Sequence, residues 1–149
     1  MSQHAILAIP PPAQRERQSW TNVLSTVPLF SGLSRRHIGK IAKAGRVVRF
    51  HDDTAIVHAG EPGDTFYVVL DGEVTVRKPR TRVLTVGVGG FFGELSLLDG
   101  GPRSATVLAR GPVVCLAIRR AAFAKLLRAE PAIALGILTE LAARLRATE

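Results

Sequence analysis

The sequence has little of several residue types that mark common protein classes. Among its 149 residues are one cysteine, one tryptophan, one tyrosine and one methionine. The lone Cys115, in the apolar run "VVCLAI", cannot form an internal disulfide, so a fold stapled by its own disulfides is excluded. This predicts a reducing, cytoplasmic compartment. No apolar stretch approaches the ~20 residues of a membrane-spanning helix, so we expect no membrane span.

Histidine is also scarce, which argues against a metal centre. The four histidines are His4, His37, His51 and His58. A cupin-like metalloprotein, the less favoured alternative, would need a close histidine pair followed by a glutamate, and the sequence has none. No nucleophile lies beside a candidate base either. We therefore expect neither a metal, nor a cofactor, nor an enzymatic activity.

Positive charge is in excess, with a net charge of +8. Such a charge raises the question of nucleic-acid binding. The arginines, however, are scattered along the whole chain, and no helix-turn-helix pattern appears before Glu149. The charge is therefore interpreted as a solvated basic surface, and no specific DNA binding is expected.

The N-terminal part of the chain is predicted to consist of an arm followed by a helical segment. Residues 1–18, which include "PPP", are predicted to form a mobile arm rather than a signal peptide. Residues 19–45 are predicted to be helical, with Ser34 capping a helix that Gly45 ends.

The middle of the chain, residues 46–118, is rich in short β-branched segments. They read "RVVRF", "TAIVH", "TFYVVL", "EVTVR", "RVLTVGV", "SATVLA" and "VVCLAI", separated by glycine-containing turns such as "LDGE" and "ARGP". This pattern predicts a β-barrel, roll or sandwich. Residues 119–149 return to helix, and Pro131 suits the first turn of the last one. That helix carries an apolar stripe at helical spacing: Ala134, Leu138, Leu141 and Leu145, with Ile137 beside them.

One segment inside the β zone, "GGFFGELSLLDGGPR", is unusual. The stretch "GELSLLDG" is predicted to be a short helix opened by Gly93 and closed by Gly100. The first turn of a helix presents unpaired amides and a partial positive charge, here at Leu95 and Ser96. A glycine before it allows a ligand to approach the backbone closely. These features predict an anion site that suits a phosphate.

The charged residues of this segment narrow the ligand. Arg103 supplies a guanidinium that can pair with phosphate oxygens. Ser104 adds a hydroxyl, and the small Ala105 leaves its amide accessible. Glu94 would be repelled by a phosphate, but it fits a sugar hydroxyl, as acidic residues do with ribose. The set therefore predicts a nucleotide held by its ribose-phosphate end.

The stretch "FGELSLLDGGPRSATV" resembles the phosphate-binding cassette of cyclic nucleotide-binding domains. This family includes regulatory subunits of cAMP-dependent kinase, the catabolite activator protein and bacterial cyclic-nucleotide-gated channels. "VPLFSGLS" and "AGEPGDTFYVVLDGEVTV" resemble the turn and hairpins that precede the cassette, so the resemblance runs from Val27 to the C-terminus. It implies a mainly β domain over 19–149: an eight-stranded antiparallel β-roll, jelly-roll-like, with N-terminal helices, a short cassette helix, and C-terminal hinge and lid helices.

The resemblance also implies a role for each cassette residue. Glu94 would accept a hydrogen bond from the ribose 2′-hydroxyl, and Arg103 would pair with the exocyclic oxygens of the cyclic phosphate. Ser104 would contact phosphate, base or both. The remaining members, which complete the anion site through their backbone, are Gly93, Leu95, Ser96 and Ala105.

The base is less well determined. Val76 and Leu84 would form an apolar wall beside it. In the family a residue of the last helix covers the base, and either Arg144 or Thr148 falls at such a position. In the family, a threonine after the cassette arginine favours guanine, whereas serine is intermediate and also occurs in cAMP-binding members. We therefore expect cAMP, with cGMP as the other ligand.

The implied function is binding of a 3′,5′-cyclic nucleotide by an intracellular sensor that closes its last helix over the base. The chain would act alone or as the sensory part of a transcription regulator or other effector. The same helix would meet an effector protein or a second copy of the chain.

Overall fold

The structure is a computed structural model that describes residues 6–7, 14–80, 83–93 and 101–147, with side chains from Trp20 onward except that of Arg144. Its centre is a curved antiparallel sheet. The strands are, in chain order, β1 (Ile6–Leu7), β2 (Arg46–Phe50), β3 (Ala55–Val57), β4 (Thr65–Arg77), β5 (Leu84–Val86), β6 (Phe91–Phe92) and β7 (Thr106–Arg119). Five of them follow one path, β1-β2-β7-β4-β5, while β3 pairs with β7 and β6 pairs with β4.

Two of these strands are much longer than the sequence suggested. The turns predicted at "LDGE" and "ARGP" do not form hairpins, because β4 continues through Gly72 and β7 continues through Gly111. Both glycines have positive φ, +85° and +75°, and the pairing of β4 with β7 shifts register on both sides of Asp71. The described residues thus form seven strands, and the predicted count of eight is not confirmed.

The bends in the two long strands bring their opposite ends together. A straight strand of thirteen residues would span roughly 40 Å. Thr106 pairs with Arg77 at the far end of β4, and Arg103 lies three residues before Thr106. Even so, the Arg103 side chain reaches Thr65 at the near end of β4. The β4–β7 pair must therefore curl back on itself, which is the geometry of a roll.

Helices flank the sheet at both ends of the chain. They are α1 (Gln14–Ser25), a 3₁₀ turn (Pro28–Phe30), α2 (Arg35–Ala44), α3 (Arg120–Ala129) and α4 (Pro131–Ala147). The predicted cap of α2 is confirmed: the His37 amide donates to Ser34 Oγ at 3.2 Å. None of the helices in the described part of the chain is long and apolar enough to cross a membrane. Within residues 1–18, which were predicted to form a mobile arm, Ile6–Leu7 pairs with β2 and α1 begins at Gln14.

Alternation along the strands divides the core in two. Phe66, Val68 and Leu70 point to one face of β4 and pack with the helices. Tyr67 and Val69 point to the other face and line the inside of the roll. Because side chains alternate across a strand, the same sheet serves both cores.

The joint between α3 and α4 is anchored to α2 by charge. The Glu130 carboxylate, on the residue between the two helices, accepts from Lys40 Nζ at 2.7 Å and from Arg36 Nη2 at 3.0 Å, and His37 Nε2 lies 3.6 Å away. The hydrogen bond from Lys40, with the charge of Arg36 beside it, lowers the pKa of Glu130. The carboxylate therefore stays ionised and holds the joint where the three helices meet.

The buried face of α4 differs from the predicted stripe. Ile133 and Ile137 are buried, Leu141 is partly covered, and Leu138 is 61% exposed. The predicted stripe placed Leu138 at its centre and Ile137 beside it. Packing of α4 against the 3₁₀ turn selects the face one residue away.

Because α4 buries Ile137 and exposes Leu138, we expect substitutions at these two neighbouring positions to differ in their effect on stability. Ile137→Ala, which opens a cavity in the core, should lower the free energy of unfolding by about 2–5 kcal/mol. Leu138→Ala, on the exposed face, should change it by less than about 0.5 kcal/mol. Urea unfolding of both variants measures the difference. A larger loss for Leu138→Ala would show that α4 uses its other face.

Candidate functional site

Arg103 is a buried arginine in the segment that leads into β7. It is only 8% exposed. Its backbone is held on both sides: its amide donates to the Glu61 carbonyl at 2.8 Å, and its carbonyl accepts from the Gly60 amide at 2.8 Å. Pro62 and Pro102 form a bridge beside this pair. The backbone of Arg103 is therefore fixed by a short ladder rather than left in a free loop.

The guanidinium of Arg103 lies between two glycines. Its Nη1 donates to the Thr65 carbonyl at 2.8 Å. A Cβ atom on Gly63 would collide with the guanidinium, and one on Gly93 would meet both Nη1 and the Thr65 carbonyl. Gly93 also has a φ of +85°, which side-chain-bearing residues rarely adopt. Both positions thus need glycine for the side chain of Arg103 to fit.

The charge of this guanidinium is not neutralised within the described part of the chain. No carboxylate there forms an ion pair with Arg103, and its described partners are the Thr65 carbonyl and the ring of Tyr67. Burial lowers the pKa of Arg103, while Tyr67 and Asp64 oppose the shift. Because arginine stays protonated in proteins, the site holds a largely buried positive charge, which attracts an anion.

An aromatic group lies beneath this charge. The Arg103 Cζ atom is 5.9 Å from the ring centroid of Tyr67. Tyr67 stacks on Phe92 with centroids 5.0 Å apart, and Phe50 contacts it edge-on at 6.2 Å. Burial raises the pKa of the Tyr67 hydroxyl, so the ring stays neutral.

The predicted phosphate-binding residues lie partly within the described chain. Gly93 and Arg103 are brought together by the roll. Ser104, the next residue, is exposed, and Ala105 is buried at the entrance to β7. The others, Glu94, Leu95 and Ser96, and the helix predicted for 94–100, lie outside the described residues.

The residues predicted to face the base are also partly described. Val76 on β4 and Leu84 on β5 are direct cross-strand partners. Val76 is half-buried and Leu84 is 57% exposed, so the pair can offer an apolar surface. Arg144 belongs to α4, but its side chain lies outside the description, as does Thr148 as a whole.

Metal ligands do not gather anywhere in the described part of the chain. No group of three or more histidine, cysteine, aspartate or glutamate side chains there is placed to hold an ion.

Comparison with known proteins decides the family. The model of the cyclic nucleotide-binding domain matches residues 47–130, more than half of the chain. The chain belongs to the cyclic nucleotide-binding domain family. The match runs from the second residue of β2 through β7 and includes Arg103 and the joint at Glu130.

Individual relatives agree with this assignment. The cAMP-dependent protein kinase regulatory subunit of Hypocrea atroviridis is 37% identical over 111 residues, which cover 74% of this chain and 24% of the relative. The N-terminal domain of a transcriptional regulator from Streptomyces coelicolor A3(2) is 34% identical, with a TM-score of 0.78 over 85% of this chain and 94% of that one. The regulatory domain of Toxoplasma gondii PKA, crystallised with cAMP, is 30% identical, with a TM-score of 0.70 over 89% and 51%.

The chain spans about a quarter of the length of the curated relatives it matches. The fold and the domain family are therefore shared, while the activities of those longer proteins are not transferred with them.

Sequence analysis missed three residues of this cyclic nucleotide-binding domain's arginine site. Gly63 lies in "AGEPGDTFYVVLDGEVTV", where the resemblance gives it no role of its own, and Thr65 and Tyr67 lie in the predicted β segment "TFYVVL". Gly63 acts by lacking a side chain that would collide with Arg103, and Thr65 acts through its backbone carbonyl. Neither role gives a recognisable sequence motif. Tyr67 is the only tyrosine of the chain, and that rarity was the one available signal.

The space around Gly63 predicts a specific effect of a single methyl group. Gly63→Ala should displace the Arg103 side chain and lower the free energy of unfolding by about 1–3 kcal/mol, as overpacking does. Gly87→Ala is the matched control, because a Cβ there meets nothing within 4 Å, and it should cost less than about 0.5 kcal/mol. Thermal unfolding of both variants measures this. Equal stability of the two would contradict the close packing of Arg103 against Gly63.

Proposed function

We propose that this domain binds a 3′,5′-cyclic nucleotide, cAMP in preference to cGMP, through a phosphate site centred on Arg103. The observation that carries the proposal is the largely buried guanidinium, held by Thr65 and two glycines, with no described carboxylate to neutralise it. An anion with several oxygens is the partner that such a group accepts best. The Hypocrea relative is named as a cAMP-dependent regulatory subunit, and the Toxoplasma structure holds cAMP, which supports this choice of ligand.

In this proposal each cassette residue contacts a different part of the ligand. Arg103 pairs with the exocyclic phosphate oxygens, and Glu94 accepts a hydrogen bond from the ribose 2′-hydroxyl. Ser104, exposed beside Arg103, contacts phosphate or base. The backbone of four residues completes the anion site: Gly93, Leu95, Ser96 and Ala105.

The base is proposed to rest on the Val76–Leu84 pair. Leu84 is 57% exposed. Covering it with an adenine would remove this apolar surface from water. Arg144 of the last helix, or Thr148, which follows that helix in the sequence, would cover the other side of the base.

Signalling is proposed to depend on α3 as a hinge and α4 as a lid. Two neighbouring carbonyls support a link from the ligand to this hinge. The Thr65 carbonyl accepts from Arg103, and the Asp64 carbonyl accepts from the Arg120 amide at 2.6 Å, at the first residue of α3. Because these carbonyls belong to adjacent peptide units, a ligand that repositions Arg103 acts close to the start of the hinge. Only a ligand that binds the open and closed arrangements differently can shift the balance between them.

The wider role is proposed to be regulatory rather than catalytic. The domain, residues 19–149, would act as a cytoplasmic sensor, alone or within a transcription regulator or another effector. Leu135 and Leu138 are exposed on α4 and would contact an effector protein or a second copy. The buried Cys115, whose pKa burial raises to about 12, suits a thiol kept reduced. Fractionation of cells and analytical ultracentrifugation test location and assembly.

Titration with nucleotides tests the proposed ligand. The protein should bind cAMP more tightly than cGMP and 5′-AMP much more weakly than either. Arg103→Ala should weaken cAMP by about 2–5 kcal/mol, because it leaves the phosphate without its partner. Arg103→Lys should recover only part of this loss, since it keeps the charge but not the two-pronged geometry. Isothermal calorimetry measures all of these affinities.

Two results, one from the titration and one from hydrogen exchange with and without ligand, would overturn parts of the proposal. No heat or thermal shift with either cyclic nucleotide at millimolar concentration would overturn the ligand. Binding without a rise in hydrogen-exchange protection of α4 would overturn the lid and leave the binding site standing.

The role of Glu94 is tested by the sugar hydroxyl that it is proposed to hold. Glu94→Ala should weaken cAMP by about 1.5–3 kcal/mol, the usual size of a hydrogen bond to a charged group. The same variant should leave the affinity for 2′-deoxy-cAMP nearly unchanged, because that ligand lacks the group. Equal losses for both ligands would instead make Glu94 a support for the cassette itself.

A further inference from the structure

The position of Tyr67 raises a question that phosphate binding by Arg103 does not answer. A guanidinium side chain has many rotamers, and ordering one costs free energy each time a ligand binds. Two groups of the chain itself hold the Arg103 side chain in one place. The Thr65 carbonyl holds one end of it, and the ring of Tyr67 lies across from its Cζ atom.

Tyr67 is itself held by two aromatic neighbours and by strands on both sides. Its ring stacks on the ring of Phe92 with an interplanar angle of 16°. The ring of Phe50 contacts it in a T-shaped arrangement, with an interplanar angle of 67°. Its backbone pairs on one side with Phe92 in β6 and on the other with Ala117 in β7. The face that it turns toward Arg103 is therefore fixed by the core of the roll.

The chemistry of this contact favours a cation that must stay available to an anion. An aromatic face attracts a guanidinium through its quadrupole without cancelling the charge. A carboxylate in the same place would neutralise Arg103 and would have to be displaced by the ligand. The ring thus positions the guanidinium without occupying any of its N–H groups.

We propose that the aromatic ring of Tyr67, rather than its hydroxyl, is the positioning residue that holds Arg103 ready for the anionic group of the ligand. The inference deepens the proposed function, because its affinity readout rests on cyclic nucleotide binding. Tyr67 does not touch the ligand in this scheme. It acts through Arg103, and its removal should loosen the arginine before any ligand is present.

Three variants of the full chain separate the ring from the hydroxyl and from the core. Tyr67→Phe keeps the ring, so cAMP affinity should stay within about twofold. Tyr67→Leu removes it, and the affinity should fall by about 5- to 30-fold, the size of a cation–π contact at a partly buried site. Phe66→Leu is the matched control: it removes an aromatic ring from the same strand on the opposite face. It should lower stability while leaving the affinity within about twofold.

A fluorinated series at position 67 keeps the test sharp if Tyr67→Leu fails to fold. Phenylalanine, difluorophenylalanine and pentafluorophenylalanine have almost the same shape, but each fluorine weakens the negative face of the ring. The affinity for cAMP should fall stepwise, by at least about fivefold across the series. The series should be flat in an Arg103→Ala background, where no cation faces the ring. An affinity that does not change with fluorination overturns the proposal.

A second readout needs no nucleotide. In NMR spectra of the free protein, the Arg103 Nε–H signal should be shifted upfield by the ring, with the shift kept in Tyr67→Phe and lost in Tyr67→Leu. Arg103→Lys assigns the signal. If the wild type binds no cyclic nucleotide but shows this shift, the proposed function fails and the positioning role stands. If the signal is unchanged in Tyr67→Leu, the positioning role fails whatever the ligand.

Discussion

The structure depends most on keeping one positive charge away from water. Removing a guanidinium from solvent costs several kcal/mol unless other groups take over from the water. For Arg103 the described replacements are a carbonyl, an aromatic face and the space left by two glycines. Each is weak alone and leaves the charge intact. In the proposed function, a ligand with several negative oxygens would complete the set and offset the cost of burying the charge.

That arrangement depends on the shape of the sheet around it. Arg103 and Thr65 belong to opposite ends of the β4–β7 pair, and they meet only because both strands bend. Gly72 and Gly111 supply the bends, and a Cβ on Gly72 would collide with the Pro112 carbonyl. The same bends separate the sheet into an inner face that holds Tyr67 and an outer face that receives the helices.

The helices at the two ends of the chain are joined through charge as well as packing. Glu130 ties the α3–α4 joint to α2, while Ile133 and Ile137 pack the start of α4 into the outer core. Beyond that point α4 presents more of its surface to solvent. The half of α4 near the joint is thus firmly held, and the half that the proposal assigns to the base is held less, as a lid requires.

Much of the fold and part of the site could be predicted from the sequence alone. The short β-branched segments, the Ser34 cap, Pro131 at the start of α4 and the cassette containing Gly93 and Arg103 are local signals. Each depends on a few neighbouring residues, so a reader of the sequence can find it. Tertiary structure alone decided the rest. Whether Gly72 and Gly111 end a strand or bend it depends on the strand across from them, and which face of α4 is buried depends on the 3₁₀ turn. The pairing of Arg103 with Tyr67, Thr65 and Gly63 joins residues about forty positions apart, because it is made by the curl of the sheet, which no local pattern records.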